Sequence, residues 1–363
     1  MEALPRTKAQ IRTLPPTIYD IAKAANVGIG TVSRVLNNHP SVSHETRAGV
    51  LKVANRLNWH PHPYARGLAK QRTNSILVVV PFFSTYFFVE VLRGVQSKLR
   101  EMDYDLILYG MNDPRHVEEL LKRNSLRVRV DGVLFLSMPL PAAFIDEYHR
   151  LKIPIVAVDT HRNNVDSLYA ENVKGAHTAT NHLLSLGHRR IGLLGASLRS
   201  QPARERVDGY RRALEEQGVE IDPNLIKTGG ASPVDGFSRE CGYEVMKQFI
   251  DLGSRRPTAI VVTSDIQASG ALLAMEEAGL RCPDDIALVG YDDIELASHL
   301  GLTTMRQPMF EMGALAVGML AERLGGSNAA PIQMPFVPQL IVRETCGAKA
   351  EHRWSHSHLE PAI

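Results

Sequence analysis

Cysteine is scarce. Cys241, Cys282 and Cys346 are the three in 363 residues, and none forms a CxxC pair. That leaves neither a disulfide framework nor a cysteine-based zinc site, and it fits a reducing cytoplasm. Long apolar runs are missing too. The most apolar stretch, SILVVVPFFSTYFFVEVL, is cut by Pro81, Ser84 and Thr85 and is too mixed to span a bilayer. The opening MEALPRTKAQIRTLPP has basic residues but no apolar core, so it does not read as a secretory signal. Catalytic signatures are also absent. There is no P-loop, HExxH or GxSxG, and GASLR fails the last of these at its final position. No enzymatic activity, metal or cofactor is therefore expected. Residues 347–363 hold His352, His356 and His358 but no leucine heptad, and read as an unstructured tail rather than a metal site or a tetramerisation coil.

What is present is ordinary globular composition, 44% apolar and 22% charged, with a net charge of only +2. That total hides an asymmetry. Residues 1–74 carry eleven Lys and Arg against three acids, and the rest of the chain carries 30 basic and 36 acidic residues. A head with eight excess positive charges on a mildly acidic body suggests a polyanion-binding module joined to something else.

The head reads as three short helices. Thr17 caps TIYDIAKAA, with Asp20 three residues on, and Ile18, Ile21, Ala22 and Ala25 share one face. NVG makes a tight break. A second helix, roughly 29–37, buries Val32, Val35 and Leu36 and leaves Ile29, Gly30, Ser33 and Arg34 toward solvent. A third starts at Ser43 and aligns Val50, Val53, Ala54 and Leu57. This is the plan of a helix-turn-helix domain. A dinucleotide loop is the competing reading of GIG, but position 33 is Ser and a helix, not a strand, precedes it.

TIYDIAKAANV, TVSRVLN and the later HPYARGLAK together resemble the head of the LacI/GalR family of bacterial transcription regulators. The resemblance implies that the second helix lies in the major groove and that a hinge leucine wedges into the minor groove. Carried over by position, Ile29, Gly30 and Arg34 face base edges, while Thr17, Tyr19, Thr31, Ser33 and Asn37 touch phosphates or neighbouring bases. Arg34 has the chemistry to bond guanine O6 and N7 as a fork, and Ile29 can offer apolar contact alone. Two departures stand out. Gly28 replaces the family's usual Ser, which costs a few tenths of a kcal/mol in capping. Gly30 inside the helix costs about 1 kcal/mol relative to Ala. Direct readout is thus poor in hydrogen bonds, and Arg34 and the hinge are expected to carry more of the specificity.

The hinge, PHPYARGLAKQRTN, has Pro61 and Pro63 before a segment too short to be a stable helix alone. Leu68 is its candidate wedge. From Ser75 the pattern changes. SILVVVP, YDLILYG, DGVLFLS, IPIVAVD, RRIGLLGA, PTAIVVTSD and DIALVGYDD alternate with amphipathic helices, as strands buried on both faces do. Two lobes of doubly wound parallel sheet follow, with a ligand cleft outside the carboxyl ends of the strands. The resemblance extends to about residue 346 and implies a two-lobed periplasmic-binding-protein-like body. It assigns effector contacts to Phe87, Phe88, Asp159, Arg206 (in RERVDGY), Ser264, Asp265 (in TSD) and Asp292 (in GYDD). Aromatic rings with carboxylates and an arginine suit a saccharide. Ser200, Gln201 and Pro202 lack the polar set a purine would need. Glu171, where the family commonly has Asp, is expected to alter the pocket.

The expectation is therefore a small all-α helix-turn-helix DNA-binding domain (17–60) after an extension (1–16), a hinge (61–74) and an α/β two-lobed effector and dimerisation domain (75–346). Such a protein would be a homodimeric regulator, a repressor by the family's habit, that binds double-stranded operator DNA under small-molecule control, with no membrane partner. The competing reading is a sugar-binding sensor without DNA, which the basic head opposes; a sugar-modifying enzyme stands further off.

Overall fold

A computed structural model describes residues 16–59, 73–81, 85–111, 130–229 and 235–348. The chain divides into two compact units, residues 1–73 and 74–363.

The first unit is the three-helix head: α1 (Ile18–Ala24), α2 (Ile29–Leu36) and α3 (His44–Arg56). Thr17 opens α1 by donating its backbone N–H and its hydroxyl to the Asp20 carboxylate, each at 2.7 Å. Asn26 turns the chain with a positive φ of 51°, which an asparagine tolerates better than most residues. Ser43 accepts from the Thr46 amide at 3.3 Å to start α3. Ile21, Val32 and Val50 meet at the centre, essentially inaccessible to water, and Ala22, Val35 and Ala54 close around them. Six buried aliphatic side chains, with half-buried Ile18, Leu36, Leu57 and Trp59 packed against them, leave little reserve in a unit this size.

The second unit holds two six-stranded sheets. The strands are β1 (Ser75–Val80), β2 (Asp105–Gly110), β3 (Gly132–Leu136), β4 (Ile155–Val158), β5 (Asp166–Ala170), β6 (Ile191–Gly195), β7 (Ile226–Thr228), β8 (Ala259–Val262), β9 (Ala287–Asp292), β10 (Thr304–Arg306), β11 (Gln333–Phe336) and β12 (Gln339–Ile341). Their orders are β11-β5-β4-β3-β1-β2 and β12-β10-β9-β8-β6-β7, parallel throughout except for β12 against β10. The helices are α4 (Tyr86–Glu101), α5 (Ala142–Arg150), α6 (Asn172–Ser185), α7 (Gln201–Glu216), α8 (Arg239–Ile250), α9 (Asp265–Glu277), α10 (Glu295–His299) and α11 (Met309–Leu324).

Each sheet is covered on both faces. α4 and α11 contribute Phe88, Val91, Val95, Met312, Val317 and Leu320 to one face of the first sheet, and Phe144 and Tyr148 of α5 pack on the other. α6 and α7 cover one face of the second sheet, α8 and α9 the other. α4 and α11 approach closely because each carries a glycine at the contact. A Cβ on Gly94 would strike the carbonyl of Phe310, and one on Gly313 the carbonyl of Val91. The chain crosses between lobes three times, after β5, after β10 and after β11, so the two sheets are tied at one edge.

All seven expected strands form. YDLILYG differs in one respect: it is the edge strand β2, with Leu108 41% exposed, rather than a strand buried on both faces. Among the described residues no helix is long and apolar enough to cross a membrane.

Candidate functional site

Two sites follow from this architecture, one in each unit. In the head, the solvent side of α2 presents Ile29, 43% exposed, with Gly30 and Arg34 exposed beside it. Gly28 is the N-cap and supplies no side-chain acceptor. Thr31 and Ser33 are half-buried, and Asn37 donates to the Ser33 carbonyl at 3.0 Å, closing the far end of the helix. Tyr19 stands 66% exposed on α1. Thr17 is exposed but engaged with Asp20. Leu68 and the rest of the hinge before Thr73 lie outside the described residues.

In the body, the carboxyl ends of the strands converge on a cavity between the lobes. One wall carries Thr85, Tyr86, Phe87 and Phe88 at the start of α4, Ser137 after β3 and Asp159 after β4. The other carries Ser200, Pro202 and Arg206 from the start of α7, Ser264 and Ile266 after β8, Asp292 at the end of β9 and Ile294 beyond it, and Asp235 and Phe237 from the loop before α8. Phe87 and Phe88 meet edge to face, with ring centres 5.3 Å apart. Phe88 lines the cavity and is also part of the core of the first sheet.

Arg206 is the hub. A helix-surface charge would be exposed and paired with Glu205 or Asp208, but Arg206 is only 4% exposed. Its Nε donates to Asn172 Oδ1 at 3.0 Å, and Nη1 donates to the Thr263 carbonyl. The guanidinium lies 3.8 Å from the centre of the Tyr291 ring, and Nη1 is 3.8 Å from Asp292 Oδ1. Planar contacts on so many sides fix the orientation of the fork. Asn172 is itself buried and also donates to Glu205 at 3.0 Å.

Two carboxylates face this cation. Asp159 accepts from the Ser137 hydroxyl at 2.7 Å, and Asp292 accepts from Gln307 Nε2 at 2.7 Å. Burial pushes Asp159 up to about 7, against the opposing pull of Ser137 and Arg206. Burial likewise raises Asp292 to about 6, with Arg206 opposing. Ser137, Asp159, Asp292 and Asp293 all have positive φ, from 51° to 116°. Backbone strain of about 1–3 kcal/mol at such positions is held by surrounding structure and collects at ligand sites.

Asp265 departs from expectation. It is fully buried, outside the cavity wall, and its carboxylate accepts from the Ile294 amide at 3.0 Å and the Thr304 hydroxyl at 2.5 Å. Both oxygens join α9, β10 and the chain after β9, and the side chain has no surface open to the cavity. Ser264 does line the cavity while its hydroxyl caps α9, accepting from the Gln267 amide at 3.4 Å. Glu171 also departs: it pairs with Lys174 at 3.5 Å and lines a neighbouring groove, so its length does not set the size of this cavity. Sequence reasoning missed Ser137, Asn172, Asp235, Phe237 and Ile266. Ser137 ends the strand-like run LFLS and Asn172 sits in AEN, both legible signals. Phe237 lies in a loop without periodicity and gave none.

Residues 17–62 match the model of bacterial regulatory proteins of the lacI family, and residues 180–346 match that of a periplasmic binding protein-like domain. The HTH-type transcriptional repressor PurR of Haemophilus influenzae is 33% identical over 337 residues, covering 91% of this chain and 98% of that protein. A solved structure of the lac repressor dimer bound to operator and the anti-inducer ONPF is 27% identical, with a TM-score of 0.78 over 92% of this chain and 99% of the other. A complex of the transcriptional regulator CelR with cellobiose is 29% identical, with a TM-score of 0.67 over 91% and 99% of the two chains. An exposed helix-turn-helix surface and a two-lobed cleft thus occur on one chain with relatives that match it nearly end to end, and the chain belongs to the lacI family of bacterial regulatory proteins.

Proposed function

We propose that this regulator represses transcription as a homodimer on a near-palindromic operator, with α2 of each subunit in a major groove, and that a saccharide in the inter-lobe cavity sets its affinity for DNA. The observation that carries the effector reading is the Arg206 hub. One fixed cation stands with two carboxylates, Asp159 and Asp292, from opposite lobes and both raised by burial, beside the rings of Phe87, Phe88 and Phe237. Hydroxyl groups can both donate to and accept from such a set, and an aromatic ring covers the C–H face of a sugar. The cellobiose held by the CelR relative agrees with that chemistry. Ligand contacts from both lobes would favour one lobe spacing over another, which is the differential affinity a switch requires.

The test is a thermal-shift panel of monosaccharides, disaccharides, sugar phosphates and purines on the full chain. A ligand present at about 100 times its Kd should add roughly 2.7 kcal/mol of stability. Arg34→Ala should abolish selective DNA binding and keep the ligand shift. Loss of both, or of neither, would count against the division of labour, and a shift from purines alone would overturn the saccharide reading.

A further inference from the structure

Gly30 is a residue without an internal reason. It lies inside α2 with helical backbone, where glycine weakens a helix relative to alanine. A Cβ built there would meet nothing within 4 Å. Packing therefore does not demand glycine, and neither does a left-handed turn. The position opens outward, on the face that also exposes Arg34, with exposed Ile29 beside it about 100° round the helix axis. Ile29 precedes it as a large apolar side chain, 43% exposed, at the first turn of the helix. Arg34 follows it by four residues on the same face, about 6 Å further along the axis.

The N-terminal residues of a recognition helix are the ones that reach base edges. A notch beside an apolar side chain offers no hydrogen bond to a base. It does match the single apolar group on the major-groove edge, the C5-methyl of thymine. We propose that Ile29 and Gly30 form a slot for a pyrimidine C5-methyl group. Each operator half-site then carries a thymine one or two base steps from the guanine held by Arg34, since bases rise about 3.4 Å per step along a strand. A 5-methylcytosine satisfies the same slot and an unmethylated cytosine does not. This inference rests on the DNA-binding reading of the head and adds the chemical group that it recognises.

The experiment selects binding duplexes from a randomised library with the full chain, then repeats the selection with Gly30→Gln. The slot position is the one whose preference changes between the two. At that position wild-type affinity is measured for dT, dU, dC and 5-methyl-dC. Removing one buried methyl group should weaken binding about fourfold in one half-site and about fifteenfold in both, and 5-methyl-dC should recover a similar factor over dC. Ile29→Ala should erase the dT over dU preference while circular dichroism shows the head still helical. Equal binding of dT and dU by the wild type, or a purine at the slot position, overturns the slot and leaves the regulator reading standing. Enrichment of no sequence at all overturns the regulator reading and the slot with it.

Discussion

Asp159→Asn should make the ligand-free protein more stable at pH 8 and leave it unchanged near pH 4. The carboxyl is buried, 7% exposed, and pushed from an ordinary value near 3.8 up to about 7. Between those pH values the folded chain holds a proton that the unfolded chain has released. Stability therefore falls as pH rises from about 4 to about 7 and levels off above. That interval amounts to about 4 kcal/mol, since each tenfold change in proton affinity is worth 1.36 kcal/mol. Asparagine copies the neutral form, so the wild type and variant should coincide in acid and separate progressively toward pH 8. In melting temperature the gap is roughly 10 °C. Asp292, raised to about 6, slopes the same way in both proteins, and its charge adds a smaller upward push on Asp159. The assay is a pair of urea titrations at each pH from 4 to 8, read by circular dichroism. A parallel pH dependence in both proteins would refute the assignment, as would a variant less stable than the wild type at pH 8.

Arg206→Ala removes the cation between Asp159 and Asp292 and should cost about 3–5 kcal/mol at neutral pH, because a buried charge is left without its partner. Saccharide-induced thermal shifts should vanish in the same variant while selective DNA binding persists, as fluorescence anisotropy on a selected duplex would report. Gly313→Ala drives a Cβ into the Val91 carbonyl and must push α11 from α4. It should cost about 1–3 kcal/mol, measured by denaturant titration, and a wild-type midpoint would mean that the helices have slack there.

The sequence carried the fold well where strands are central. SILVVVP, DGVLFLS and DIALVGYDD are continuous β-branched runs because both faces are covered, and burial of that kind writes itself into composition. β5, β7, β10, β11 and β12 were not legible. β7, β10 and β12 span three residues each, and β5 opens with a buried Asp166 that makes sense only beside Arg323, 157 positions away, whose Nε donates to it at 2.7 Å. The same distinction separates the site residues. Arg206 and Asp292 could be named because local motifs mark them, but nothing local says that Asp265 turns inward. That depends on Thr304 and Ile294 arriving from later in the chain with donors for both of its oxygens. Ser137 and Asn172 sit in legible segments, LFLS and AEN, but their roles in holding Asp159 and Arg206 depend on residues distant in sequence.

The cleft's electrostatics also bound how strong the proposed switch can be. Bringing the lobes together takes Asp159 of one, with Asp292 and Arg206 of the other, out of water, so part of the burial that raises Asp159 is a cost of closure. Ligand hydroxyls that donate to both carboxylates offset part of that cost in the closed arrangement and contribute nothing of the kind when the lobes are apart. Offsetting about 1.4 kcal/mol of it is already a tenfold change in an equilibrium constant. A regulator of this design does not need a large rearrangement to respond. The coupling must run both ways: whatever factor the saccharide imposes on operator affinity, operator imposes on saccharide affinity. Calorimetric titration of the saccharide with and without a selected duplex measures that factor directly. It should rise between pH 6 and pH 8, as Asp159 ionises and the closed cleft comes to depend on the ligand's donors. A factor independent of pH would place the coupling outside the Asp159–Arg206–Asp292 cluster.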